Sequence, residues 1–130
     1  MALKHTWTLG VKNDSSATVV ADQYVYTGAV ESNFNEAVPA GNTVSITLPI
    51  TVANIVSFYI ESDQAVTLHT NSNTTPVQTF SLAAGTALAW NSGNNPNLGT
   101  NPLTTNVTAI YVVNAGAATA TIKGGFLLNQ

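Results

Sequence analysis

The chain has 130 residues and a formal charge of −3, with only 7% of its residues charged, where roughly 25% is usual for a soluble domain. Three lysines and no arginine leave no basic footprint for nucleic acid and no polybasic contact with a membrane surface. No apolar run approaches the roughly 18 residues of a spanning helix, and 45% hydrophobic residues argue against disorder.

A chain of this length buries about two thirds of its unfolded surface around one core, so a single domain over residues 1–130 is expected. Without cysteine there are no disulfides and no thiolate chemistry. The segment Met1–Trp7 lacks the charged and apolar regions of a secretory signal, which predicts synthesis in a cytoplasm.

Period-2 alternation dominates the sequence. Leu3, His5, Trp7, Leu9 and Val11 share one face of a first strand. Asn13–Ser16 has turn chemistry, and a second strand is expected from Ala17 to Val30. Glu31–Asn42, polar and interrupted by Pro39 and Gly41, reads as a loop. Val44, Ile46, Leu48 and Ile50 alternate with polar residues in a half-buried strand. Ile55–Ser62 and Ala65–Thr70 read as a hairpin across a tight turn. So do Val77–Leu82 with Thr86–Trp90 across Ala83–Gly85, and Thr105–Val113 with Ala117–Leu128 across Asn114–Gly116. Asn91–Pro102, saturated with Asn, Gly and Pro, is a loop.

Eight to nine short strands with frequent turns, and no crossover helix, point to an all-β fold: a single-domain antiparallel β-sandwich, jelly-roll-like. Alternation places Leu9, Val44, Ile46, Leu48, Val56, Phe58, Ile60, Leu68, Tyr111, Val113, Phe126 and Leu128 in the core. A faint internal repeat aligns Ile55–Thr67 with Val107–Thr119 without gaps, keeping Tyr, Ala and Thr in register.

No catalytic residues are identified. Glu31 and Glu36 share a segment and are the one carboxylate pair of glycosidase type, but their surroundings read as a solvated loop. Glu61 and Asp63 lack the ligand number and spacing of a calcium loop. His5 and His69 have no zinc-like spacing, and His5 reads as a half-buried histidine with one partner. No serine sits in a nucleophile elbow, and no glycine-rich phosphate loop is present. No metal and no cofactor are therefore expected. The triplets at Asn13, Asn73 and Asn106 match the glycosylation pattern, as chance allows in an Asn- and Thr-rich chain. Trp7, Tyr24, Tyr26, Phe34, Tyr59 and Trp90 are candidates for a sugar-stacking platform, although Tyr59 and Trp90 read more simply as core residues.

A sandwich has edges, and soluble monomers guard them with lysine, proline or inward charges. Three lysines guard little, so a homo-oligomer or a lattice component is expected. The segments Phe58–Ser72, Phe80–Trp90 and Val107–Gly116, in style and strand order, resemble small structural proteins of tailed bacteriophages. The resemblance implies a non-enzymatic virion component, made in the host cytoplasm. A capsid decoration or cement protein fits best, associating with itself, as a trimer at local three-fold positions, and with other virion proteins such as the major capsid protein. The alternative is a carbohydrate-binding or adhesin-type module. Asn91, Asn94, Asn95, Asn97 and Asn101 are the candidate partner contacts, because their loop offers many amide donors and acceptors.

Overall fold

The computed structural model describes residues 2–12, 14 and 18–130. Ten strands follow in order: β1 (Leu3–Lys12), β2 (Thr18–Gly28), β3 (Val30–Val38), β4 (Thr43–Ile50), β5 (Ile55–Ser62), β6 (Val66–Thr70), β7 (Thr79–Leu82), β8 (Thr86–Asn91), β9 (Val107–Val113) and β10 (Ala120–Leu128). A short 3-10 turn over Val52–Asn54 is the one helical element among the described residues. Strands β1 and β2 pair with each other as a hairpin, here termed the arm. The other eight form two four-stranded sheets, the first ordered β3-β10-β5-β8 and the second β4-β9-β6-β7. Every pairing is antiparallel. The fold is thus an all-β sandwich with jelly-roll strand order, with ten strands where eight to nine were expected.

The three expected hairpins are not hairpins. β5 and β6 lie in different sheets, as do β7 and β8, and β9 and β10. Each short connection turns a corner from one sheet to the other. Turn residues signal that the chain reverses, and alternation signals which side chains are buried. Neither signals whether the returning strand bonds to the first or faces it across the core.

The segment Glu31–Asn42, expected as a loop, contains β3. β3 is an edge strand, and an edge tolerates the polar residues that disguise it. The connection itself is only Pro39–Asn42, closed by Asn42 N–H donating to Pro39 O at 3.1 Å, with Gly41 at φ 72°.

The core centres on Phe58 of β5 and Phe126 of β10, which are register partners and stack with centroids 5.0 Å apart and planes 8° from parallel. Ile46, Leu48, Ile60, Leu68 and Leu128 join them as expected, and Val44 packs at the margin. Val56 is buried but lies outside this cluster. Tyr111 and Val113 face outward and are half-buried, while Ile110 and Val112 are the core residues of β9. The run Ile110–Val113 is apolar throughout, so alternation alone cannot choose its inner face. Leu9, also expected in the core, is 38% exposed.

The internal repeat occupies equivalent places. Ile55–Thr67 begins on β5 and Val107–Thr119 on β9, the third strands of the successive units β3–β6 and β7–β10. Exchanging the units turns the order β3-β10-β5-β8 into β7-β6-β9-β4, which is the second sheet read backwards.

Asn114 is buried at the β9–β10 corner. Its Nδ2 donates to Val38 O at 2.9 Å and to Ala118 O at 2.8 Å, and its Oδ1 accepts from Gly116 N at 3.0 Å. Asn114→Leu strands these groups and should cost about 1–3 kcal/mol. Phe58→Ala should cost about 3–5 kcal/mol in a denaturant titration. Val112→Ala should cost more than Val113→Ala, and the reverse order would contradict the register of β9.

Candidate functional site

In the arm, Leu3 pairs with Gly28, His5 with Tyr26 and Trp7 with Tyr24, so these six residues share one face. That face lies on the outer side of the first sheet. Trp7 Nε1 donates to Ser57 Oγ at 2.8 Å, and His5 Nδ1 lies 3.1 Å from the same oxygen. The Tyr26 hydroxyl donates to Asn95 O at 2.5 Å and accepts from Asn95 N at 3.1 Å. Glycines permit the close approach. A Cβ on Gly28 would lie 2.7 Å from Leu127 Cγ, and one on Gly93 would lie 2.5 Å from Tyr26 Cε1.

Ser57 has one proton to give. With Trp7 donating to its oxygen, that proton can go to His5 Nδ1, which places the imidazole hydrogen on Nε2. Nε2 faces Glu31 Oε1 at 3.4 Å and has no hydrogen-bond partner among the described residues. The imidazole is only 10% exposed. Burial lowers its pKa from 6.5, against the opposing pull of the Glu31 carboxylate.

Tyr59 projects from β5 beside this junction, with its ring edge toward His5 at 6.1 Å and 60°. It is 39% exposed, so it is not the core residue that its strand pattern suggests. A shallow recess of about 360 Å³ on one side involves Asn33, Asn35 and Lys123. A smaller one of about 210 Å³ on the other involves His5, Trp7 and Thr8. Gly125 makes room for both Tyr59 and Asn33, since a Cβ there would lie 3.0 Å from Tyr59 Cε1 and 2.6 Å from Asn33 Oδ1. Trp90, in contrast, packs against the core and donates Nε1 to Gly99 O at 3.0 Å.

Beyond Trp7 the arm leaves the sandwich. Thr8–Lys12 and Ala21–Gln23 are exposed at every position. Leu9 and Val11, 38% and 45% exposed, prolong the face that carries His5 and Trp7, while Val25, 56% exposed, lies on the opposite face. The expected turn at Asn13–Ser16 falls, Asp14 apart, outside the described residues.

The asparagine loop is held together by its own amides. Asn91 is buried, with Nδ2 donating to Pro96 O at 3.0 Å and Oδ1 accepting from Asn95 N at 3.1 Å. Asn97 Oδ1 accepts from Gly99 N, and Asn101 Oδ1 from Leu103 N, both at 3.0 Å. Asn91 therefore presents no side chain to a partner, and Asn101 is half-buried. Asn94, Asn95 and Asn97 are exposed and remain the outward residues of the loop. Ser57, Glu31 and Gly93 complete the arm junction, but only the topology brings them to His5, Trp7 and Tyr26.

Glu31 and Glu36 stand on one strand five residues apart, an odd spacing that sends them to opposite faces. They cannot act as a carboxylate pair across one substrate. Glu61 and Asp63 share a recess with Lys123, and Asp63 Oδ1 already accepts from Thr121 N at 2.7 Å. Among the described residues no group of three or more His, Cys, Asp or Glu is placed to hold a metal ion. His69 Nδ1 pairs with Asn73 Oδ1 at 3.1 Å on the surface. No family model, curated protein or solved structure matches the chain.

The lowered pKa of His5 fixes a sign. The unfolded chain binds this proton more readily than the folded one, so stability from the arm junction is complete above about pH 6.5 and falls as the pH drops below it. The denaturant midpoint should decline from pH 7 to pH 5.5 more in the wild type than in His5→Gln. A parallel decline in both would show that His5 is not responsible.

Proposed function

We propose that the chain is a non-enzymatic structural component of a tailed-phage particle, a capsid decoration protein that associates with copies of itself and sits on the major capsid protein. The observation that carries this reading is the arm. Its proximal half is fastened to the sandwich by Trp7, His5 and Tyr26. Its distal half extends into solvent and carries Leu9 and Val11. A two-stranded ribbon is marginal in water on its own, and exposed apolar side chains on a projecting ladder suit a surface that another subunit covers.

The phage assignment comes from the resemblance of Phe58–Ser72, Phe80–Trp90 and Val107–Gly116. The low charge of the chain suits dense packing beside other subunits, since little electrostatic repulsion has to be overcome. Asn94, Asn95 and Asn97 lie next to the Tyr26 anchor and extend the same contact surface.

The test is mass spectrometry of particles purified from the phage whose genome carries this gene. A decoration protein is recovered in near-stoichiometric ratio to the major capsid protein and is released before the capsid disassembles. Its absence from purified particles would overturn the assignment.

Tyr59 favours a second reading, a carbohydrate-binding module. A half-exposed aromatic ring flanked by Asn33 and Asn35 has the elements of a sugar platform. A glycan-array screen in which wild type binds and Tyr59→Ala does not would favour it over the particle role.

A further inference from the structure

We propose that Tyr59 is the centre of a two-part saccharide site, in which a neutral oligosaccharide lies across the outer face of the first sheet and against the free edge of β1. The proposal rests on the carbohydrate reading above and extends it from one stacking residue to a site shared by the sandwich and the arm.

Tyr59 shares a row of the first sheet with Gly125 and Asn33, register partners in succession across β10 and β3. Gly125 carries no side chain, and the Tyr59 ring leans over it: a Cβ there would lie 3.0 Å from Tyr59 Cε1 and 2.6 Å from Asn33 Oδ1. Backbone lies beneath the ring and His5 stands beside it, so its 39% exposure is on the outward side. A ring supported from below offers an apolar face to the C–H side of a pyranose, and its hydroxyl adds a polar tip.

A recess flanks the ring on each side. Toward β3, Asn33, Asn35 and Lys123 lie on the same face of the sheet as Tyr59, because alternate residues of a strand share a face. Phe34 borders this recess, but its ring turns inward over Gly124 and packs against the core. Two carboxamides beside one ring supply donors and acceptors together, as adjacent sugar hydroxyls require. Toward the arm, His5, Thr6, Trp7 and Thr8 line the second recess. All four come from β1 and none from β2, so this recess follows the edge of β1 that has no strand partner among the described residues. An unpaired edge presents backbone N–H and C=O groups, which serve here as the carboxamides do on the other side.

Two other recesses lack these features. The one beside Glu61, Asp63 and Lys123 has no aromatic ring, and neither has the one faced by Thr67, Ser81 and Val113 on the second sheet. Charge fixes the class of the ligand. Lys123 is the one charged residue bordering the β3-side recess, and its register partner Glu61 offsets it. The arm-side recess holds no carboxylate and no ammonium group. An anionic sugar therefore gains nothing over a neutral one. An extended peptide could pair with the same edge of β1, but it would follow the arm off the sandwich and away from Asn33 and Asn35.

The test is an NMR titration of the isotope-labelled full chain with neutral gluco-, manno- and galacto-saccharides, from monosaccharides to hexasaccharides. Uronate- and sialate-bearing sugars and a threonine–valine hexapeptide are titrated in parallel. A neutral oligosaccharide should shift the backbone amides of residues 6–8 and 33–35 together. A monosaccharide should shift one group alone and bind about tenfold more weakly or worse. Tyr59→Ala should weaken oligosaccharide binding about tenfold, Asn33→Ala about three- to tenfold, and Tyr59→Phe, which keeps the ring, should retain most of it. Salt should leave the affinity unchanged, as no charge pair is formed. Binding of the acidic sugars only, or of the hexapeptide and no sugar, would overturn the inference. So would a monosaccharide that binds as tightly as the hexasaccharide and shifts residues 33–35 alone, although the simpler Tyr59 platform would then stand. Failure of every sugar to bind would overturn both.

Discussion

Where Ser57–Phe58 of β5 pair with Phe126–Leu127 of β10, the first sheet is buried on both faces, and the rest of the architecture follows from that. Phe58 and Phe126 stack inside the sandwich. Ser57 and Leu127, their immediate neighbours, point the other way and are equally inaccessible. A sheet in a two-layer sandwich normally shows water one face. Here the arm covers that face, and Ser57, a buried hydroxyl, is satisfied there by Trp7 and His5. Removing the arm would expose Leu127 and leave Ser57 without its arm partners, so the N-terminal hairpin is part of the fold as well as a projection from it.

This double burial was visible in the sequence as a loss of alternation. Gly124–Gly125–Phe126–Leu127–Leu128 and Ile55–Val56–Ser57–Phe58 break the period-2 rhythm that Val44–Ile50 keeps. Continuous burial is what such runs signal. Alternation correctly identified the fold class and most of the inner face, Ile46, Leu48, Phe58, Ile60 and Phe126 included. It failed where the pattern is degenerate, at Ile110–Val113, and where an edge strand wears loop composition, at Glu31–Val38. It also could not distinguish hairpins from corners, because both use short polar turns. The junction at His5 was half legible: its one expected partner is there, but Ser57 and Glu31 lie 52 and 26 positions away in the chain, and only the jelly-roll order brings them to one place.

The arm joins two regimes. Its base is cross-braced by aromatic side chains and a histidine whose neutral form burial favours. Among the described residues, those beyond Trp7, Thr8–Lys12 and Ala21–Gln23, are exposed at every position. A rigid base that directs an apolar tip outward gives the tip a defined reach without the entropy cost of ordering a loose tail. The acid sensitivity expected at His5 then acts on the base, so protonation would loosen the platform from which the tip projects.

Hydrogen–deuterium exchange, followed residue by residue on dilute and concentrated protein, tests most directly whether the arm is a docked base with a tip that assembly covers. Residues 3–7 should exchange slowly at both concentrations, and residues 8–12 and 21–23 should be protected only when the copies associate. Uniformly fast exchange along the whole arm at every concentration would contradict it.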